Sequence, residues 1–278
     1  MKKRRWKIAL TVICVALISV AAFFLNAFLG NPVSRMLAKQ SALRYIEENY
    51  PDFQLEDIGY NLKTTGYYAH VKCSDSIDSR FTIHLDMLGH LWYDTFESRV
   101  LQKGNTADRL NTEYRALVDS VLEDPQLPYQ TYIGFGELLF WYDQVDDAVK
   151  EYPFAMPMSQ LELDGSYDVS ALGAEIGRLT VYVEDDTVSI EHLTETLLDL
   201  TQRFEEKDVS FYVIDLVLEH PRPEDGSPRR EGRVEVKDFR YADIAAEGLI
   251  DRVTASNEAA VAYYAEQDAL KAEESPIN

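Results

Sequence analysis

Cysteine is scarce: Cys14 and Cys73 are the only two. Cys14 falls inside an apolar run, so the remainder has a single thiol and no internal disulfide to hold it. The fold must stand on its own core, which 278 residues with 46% hydrophobic composition can supply. Cations are scarce too. Lys and Arg number 27 against 48 Asp and Glu, a formal net charge of −21. Nucleic-acid phosphates call for clustered Lys and Arg, so no nucleic-acid partner is expected. Familiar catalytic signatures are also missing. There is no G-x-S-x-G, and no serine is followed three residues on by lysine. Neither H-E-x-x-H nor a P-loop occurs, and "GFG" at Gly134–Gly136 falls short of a nucleotide fingerprint. No acid group has the glycine-containing spacing of an EF-hand loop.

What is present begins with five cations, Lys2, Lys3, Arg4, Arg5 and Lys7. An uncharged run from Ile8 to Gly30 follows, broken only by the amide of Asn26. A bilayer core needs about 20 apolar residues, so this run is expected to span, with the cations on the cytoplasmic side. A cleaved signal peptide is the alternative. Phe23, Phe24, Leu25, Phe28 and Leu29 crowd the place where cleavage would fall, which favours an uncleaved anchor. Removing the five N-terminal cations from the 27 leaves 22 against 48 acids, so the part outside the membrane carries −26. Such a surface is well solvated and repelled by anionic polymers.

The reading along the chain is α+β: an N-terminal transmembrane helix, a helix plus four-stranded antiparallel sheet domain, then a second small α+β domain. The expected divisions are 1–30 for the basic segment and anchor, 31–124, 129–271, and a disordered tail at 272–278. Asn31 is an expected N-cap and Pro32 suits a first helical turn; Met36, Leu37, Leu43 and Ile46 keep helical spacing up to Pro51. Strands are expected at Phe53–Leu62, Thr65–Cys73, Arg80–Asp86 and Leu91–Thr95, with a helix from Asn105 to Leu122. "EDPQLPYQ" (Glu123–Gln130) reads as a link. Beyond it, a strand is expected over Ser159–Leu163, a helix start near Asp168, and an alternating strand over Gly177–Asp185. A helix capped by Ser189 follows, then strands in "VSFYVIDLVLEH" and "GRVEVKDFRY" separated by a mobile "PRPEDGSPRREG", and a last helix over Ile244–Lys271.

The first half resembles the helix-then-meander pattern of PepSY-like domains, a fold related to cystatin. The whole chain resembles the YfjL-like proteins of Gram-positive bacteria, a membrane-anchored family. The likeness is carried by "GNPVSRMLAKQSALRYIEENYPD", "YNLKTTGYYAHVK", "FTIHLDMLGHLWYD" and "RLNTEYRALV", and in the second half by "LTVYVEDDTVSIEHLTETLLDL". It implies a location outside the membrane and a small α+β domain near it. It supplies no catalytic residues, and fold alone does not fix function.

"YYAHVKCSDSIDSRFTIHLDMLGH" (Tyr67–His90) holds three of the five histidines and Cys73. Alternation sends Ala69, Val71, Cys73, Phe81, Ile83 and Leu85 inward and His70 and His84 outward. A register pairing residue 71 with 83 sets His70 opposite His84, with Asp86 nearby. That is short of the three or four ligands of a zinc site, and the two histidines read first as solvated strand residues. Cys73 is expected buried and unreactive, and His90 exposed in a turn. Tyr129, Tyr132, Phe135, Phe140, Trp141 and Tyr142 are expected to serve packing, with "ELL" after "GFG" as a helix start. Acid pairs at Glu184–Asp186, Asp146–Asp147 and Glu205–Glu206 are what an acid-rich chain gives by chance. No catalytic, cofactor or metal residue is assigned. The expected function is a non-enzymatic, membrane-anchored extracytoplasmic binding or regulatory module with a protein or peptide partner. A cell-wall-active hydrolase with an acid pair in the second domain is the alternative.

Overall fold

The computed structural model describes residues 13, 14, 17, 30–142, 152–221, 232–245 and 247–274, with residues 272–274 described by backbone alone. The expected anchor at 8–30 lies almost wholly outside these residues, as do the acids Asp146 and Asp147, most of "PRPEDGSPRREG", and the end of the tail. Among the described residues no helix is long and apolar enough to cross a membrane. Two compact units divide the chain: Met1–Thr106 with Glu162–Asp164, and Ala107–Leu161 with Gly165–Asn278.

In the first unit, Gly30 takes φ +76° and the chain turns into helix α1, Pro32–Asn49. Asn31 Oδ1 accepts the Val33 N–H at 2.8 Å, and Pro32 stands in the first turn where no N–H is needed. Four strands follow, β1 (Gln54–Asn61), β2 (Gly66–Lys72), β3 (Phe81–Leu85) and β4 (Leu91–Asp94), in the antiparallel order β1-β2-β3-β4. The inward face of this meander carries Tyr67, Ala69, Val71, Phe81, Ile83 and Leu85, buried with Ala38, Ala42 and Ile46 of α1. The small alanines at one helical spacing let the helix sit close on the sheet. Asp94 is drawn into this apolar edge by two hydroxyls, Tyr45 at 2.6 Å and Tyr50 at 3.0 Å. Burial, then Asp94, holds both phenols above their ordinary range. A single π-helical turn, Glu97–Leu101, follows; nothing in the periodicity foretold it.

The helix expected to close the first domain, here α2 (Gly104–Leu122), packs in the core of the second unit through Leu110, Tyr114, Val118 and Val121. This corrects the expected boundary at 124. The reason is its stripe: Val118 and Leu122 lie against Gly136 and Gly134 of β5 (Gln130–Leu138), where any Cβ would collide. "ELL" therefore ends a strand rather than starting a helix. The two-residue strands β6 (Phe140–Trp141) and β7 (Met156–Pro157) pair in parallel. A 3-10 turn, Met158–Gln160, replaces the strand expected at Ser159–Leu163; Pro157 and the turn hydrogen bond from Leu161 N–H to Met158 O fix that local path. Asp168 caps α3 (Val169–Ile176), which runs into β8 (Gly177–Glu184). Ser189 Oγ caps α4 (Ile190–Glu206). Then come β9 (Val213–Glu219), β10 (Arg233–Arg240) and α5, which begins at Leu249 rather than Ile244 and runs to Glu274. A 3-10 turn at Tyr241–Asp243 occupies the intervening place.

The second sheet is ordered β10-β9-β8-β5, with β8 and β9 parallel and the outer pairs antiparallel. The parallel pair follows from α4 lying between its strands, since parallel neighbours need a crossover of about a dozen residues or more. Leu179, Val181, Val183, Ile214, Leu216 and Leu218 face the apolar side with Leu193, Leu197 and Leu200 of α4.

Candidate functional site

The outward face of the first sheet is the most distinctive surface of that unit. Its cross-strand rows are Gly59, Tyr68, His84 and Tyr93, and next to it Asp57, His70 and Thr82. Tyr68 lies so close over Gly59 that a Cβ there would come within 2.4 Å of its ring. Trp92 covers Gly66 in the same way, at 3.0 Å. Glycine is thus needed at these two strand positions to seat aromatic rings, and the rings partly replace the missing side-chain packing. His84 stacks on Tyr93, with centroids 4.4 Å apart and planes 18° apart. His70 lies 5.1 Å from the Tyr68 ring, and its Nδ1 is 3.1 Å from Thr82 Oγ1.

The two histidines share a face but are not opposite. Val71 pairs with Phe81 and Ala69 with Ile83, so His70 faces Thr82 and His84 faces Tyr68. The sheet is shifted by two residues from the expected register, which leaves every side chain on its expected face. The shift is set by the loop after β2. Ser79 Oγ takes the Cys73 N–H, Asp164 Oδ1 accepts from Ser76 Oγ at 2.9 Å and the Asp78 N–H at 2.8 Å, and Asn105 Nδ2 donates to the carbonyls of Asp78 and Arg80. These partners are distant in sequence and leave no local pattern.

Cys73 corrects the alternation argument. β2 stops at Lys72, and Cys73 sits half-buried beyond it rather than in the core. His90 is exposed in its turn, with Nδ1 2.8 Å from Asp86 Oδ2. Asp86 also accepts the Leu88 and His90 N–H groups, so it serves the turn and not the histidine pair. Among the described residues no three His, Cys, Asp or Glu side chains are grouped to hold a metal ion. Burial, and then the neighbouring His70, pushes the His84 imidazole below its ordinary value.

A hollow of 540 Å³ lies on this face, bounded by Tyr68, His70, His84, Arg80, Arg99 and Asn105 along with the β3 and post-β4 threonines. No acid lines it. Beside it runs β4, an end strand of the sheet, with Leu91 43%, Trp92 49% and Tyr93 55% exposed, and Leu88 65% exposed in the preceding turn. Sequence reasoning placed His70 and His84 on this face but missed Arg80 and Arg99 around the hollow and Trp92 over Gly66. The turn containing Arg99 is π-helical, and Trp92 is the extra residue of a β4 bulge; neither follows from alternation.

In the second unit Tyr132 and Phe135 of the expected aromatic group lie on β5 and Phe140 and Trp141 on β6, with Tyr129 and Tyr142 just outside these strands. Tyr129 donates its hydroxyl to Asp199, and Tyr132 to Glu219 at 2.7 Å. Of the expected acids, Asp185 lies 3.3 Å from His192, Glu205 accepts from Tyr241 at 2.6 Å, and Glu206 from Gln202 at 2.8 Å. The acids that matter for packing are others. Glu219 is 2% exposed and Glu235 6% exposed, both inside strand runs where an acid amid valines and leucines was the available signal. Glu235 pairs with Arg233 at 3.1 Å, and burial raises its carboxyl despite that cation. A cavity of 300 Å³ holds Glu235, Arg233, Asn257, Tyr264 and Asp268. On the same sheet, the Arg178 guanidinium bonds Asp215 and the Tyr152 hydroxyl, lies 4.7 Å from the centre of the Tyr152 ring and 3.6 Å from Asp238. Asp238 stands at a β10 bulge with φ +48° and donates its N–H to Asp215 Oδ1 at 2.6 Å.

Two family models meet the chain on these units. The YfjL-like N-terminal domain matches residues 4–95, and the YfjL-like C-terminal domain matches residues 113–254. The chain belongs to the YfjL-like family. In this YfjL-like protein the N-terminal match takes in the whole four-stranded meander, and the C-terminal match takes in the second sheet and the start of α5. No curated protein and no solved structure matches it.

Proposed function

We propose that this YfjL-like protein is a single-pass, membrane-anchored extracytoplasmic module that binds a protein or peptide and has no catalytic activity of its own. The observation that carries the reading is the aromatic and imidazole face of the first sheet, continuous with the exposed end strand β4. Solvated sheet faces are ordinarily polar, and an exposed apolar edge is what strand-adding partners use. The helix on a four-stranded antiparallel sheet supports a PepSY-like, cystatin-related first unit. The basic segment before an apolar run supports the anchor and its orientation.

The test is a photo-crosslinking amino acid in place of Trp92 in cells, with a second placed at Lys63 as control. A defined adduct from position 92 that is missing from position 63 is expected. Equal, diffuse labelling from both positions refutes the module. Orientation is checked by protease added to intact cells stripped of wall, which should digest everything after the anchor.

One observation favours a second reading, a wall-active hydrolase. The cavity at Glu235 also holds Asp268, and burial raises the Glu235 carboxyl as an acid catalyst needs. Against it, Glu235 is engaged by Arg233. Release of soluble fragments from purified wall by the wild-type chain, abolished in Glu235→Gln, would establish this reading; no release by the wild type ends it.

A further inference from the structure

Three exposed apolar side chains gather at one end of the first unit. Leu62 in the β1–β2 turn is 46% exposed, Leu88 in the β3–β4 turn 65%, and Val33 at the start of α1 60%. We infer that this end docks on the phospholipid interface of the bilayer that holds the chain's own anchor, with these side chains seated among the headgroups. The inference rests on the anchored reading and goes beyond it, because it fixes which end of the unit faces the membrane. The open edge of β4 lies to the side of this end and stays available to a partner.

The strand register brings the two turns together. Asn61 pairs with Gly66, Tyr67 with Leu85, and Leu85 with Leu91, so the turns at 62–65 and 86–90 leave the same end of the sheet. The chain enters at that end. Tyr67 Oη donates to the Asn31 carbonyl at 2.9 Å, and a Cβ on Gly30 would lie 2.7 Å from that hydroxyl and 2.9 Å from the Tyr60 ring. The Tyr60–Tyr67 row is one residue, about 3.4 Å, from the Asn61–Gly66 row. The β3–β4 turn lies against α1, since a Cβ on Gly89 would come within 3.0 Å of the Leu37 carbonyl and Ser41 Oγ. Only Asn31 separates the uncharged run that ends at Gly30 from α1. With so short a connection, the unit cannot stand away from a bilayer crossed by that run, and its nearest exposed apolar groups meet the interface.

The chemistry suits an interface. Turns ordinarily carry Gly, Pro, Asn, Asp or Ser, whereas a leucine at each of two tips gains by leaving water; a depth of about 5–10 Å reaches the boundary of headgroups and acyl chains. Acids outnumber cations 48 to 27 over the chain, yet from Gly30 to Ile46 there are Arg35, Lys39 and Arg44 and no acid, and from Ile58 to Tyr68 there is Lys63 and no acid. Lys63 is exposed beside Leu62, where its ammonium can meet a lipid phosphate while its stem lies along the apolar tip. Asp86, the acid of the β3–β4 turn, is engaged by the Leu88 and His90 N–H groups. The loop at the opposite end of the sheet, 73–80, carries Asp75 and Asp78 and a single exposed apolar side chain, Ile77.

The experiment uses the full chain, with Cys14→Ser and Cys73→Ser, in nanodiscs of phosphatidylcholine and phosphatidylglycerol in equal parts. A single nitroxide is attached through Thr64→Cys or, for comparison, through Ile77→Cys. Power saturation reads collisions of the label with lipid-soluble oxygen against collisions with a water-soluble nickel chelate. The label at position 64 is expected to favour oxygen about threefold or more over the label at position 77. Leu62→Asp together with Leu88→Asp should abolish that preference while circular dichroism stays unchanged. Equal accessibility at positions 64 and 77, a comparison that needs neither aspartate, overturns the inference; so does a preference that survives both aspartates. Alkaline carbonate extraction of native membranes separates the two readings. A chain that resists extraction while position 64 is as wet as position 77 keeps its anchor and loses the docked end. A chain released by carbonate loses the anchor, and this inference with it.

Discussion

Tyr114 of α2 holds the second unit together at one point, and removing a single oxygen tests it. Its side chain is fully buried, and its hydroxyl donates to the Ser210 carbonyl at 2.8 Å. Three glycines make the socket. A Cβ on Gly136, Gly173 or Gly177 would come within 2.9, 2.6 and 2.6 Å of the ring or its oxygen. These glycines belong to β5, α3 and β8, so one ring on α2 ties three other elements. Tyr114→Phe keeps the ring and strands the Ser210 carbonyl, which should cost about 1–2 kcal/mol. In a urea titration of the full chain, the transition of the second unit should move to lower denaturant with unchanged slope, and its melting temperature should fall by about 2–8 °C. The alkaline limb gives a second readout. Burial raises the Tyr114 phenol, so the unfolded chain, with an ordinary tyrosine near 10.0, loses its proton first. Stability from this group is full below that value and declines as pH rises through it; Tyr114→Phe should lack that part of the decline. A Tyr114→Phe protein as stable as wild type, with the same alkaline decline, would refute the reasoning, since it would mean that water reaches Ser210 and that the socket is not sealed.

Three further outcomes are expected. Thr65 turns the β1–β2 hairpin at φ +51°, a costly place for a β-branched residue, and its hydroxyl donates to the adjacent Thr64 carbonyl at 2.8 Å. Thr65→Gly should stabilise the first unit by about 0.5–1 kcal/mol after glycine's own entropy is subtracted, read by thermal melting. Arg178→Met leaves Asp215 half-buried without its cation and should cost the second unit about 2–3 kcal/mol; adding Asp215→Leu should restore part of that loss in a double-mutant cycle. The first unit should lose stability as pH falls below about 6.5, because the unfolded chain protonates histidine more readily than folded His84 does; His84→Gln should flatten that acid limb in a pH series of chemical melts.

Much of the meander was legible because alternation is a local signal. Ala69, Val71, Phe81, Ile83 and Leu85 went inward and His70 and His84 outward as the period of two requires. The N-caps Asn31 and Ser189 and the helix start near Asp168 were legible for the same reason, since each of these side chains binds an N–H two or three residues on. The candidate site was only half legible. Its histidines follow from alternation, whereas Arg99 is brought to the hollow by a π-turn and Trp92 is set over Gly66 at a bulge.

The sequence alone determined much of what depends on neighbours a few residues away: most of the helix and strand segments, the apolar face of the first-sheet strands, and the starts of the helices capped by Asn31 and Ser189. Charge and the basic, then apolar, N-terminus set the expectation of an acidic, anchored protein by composition alone. The tertiary structure decided the rest. A shift of two residues between β2 and β3 leaves the apolar pattern intact, so only the loop pinned by Asp164 and Asn105 could choose the register. Likewise α2 has one apolar stripe that any core would accept, and the glycine-lined face of β5 decided which core it joined.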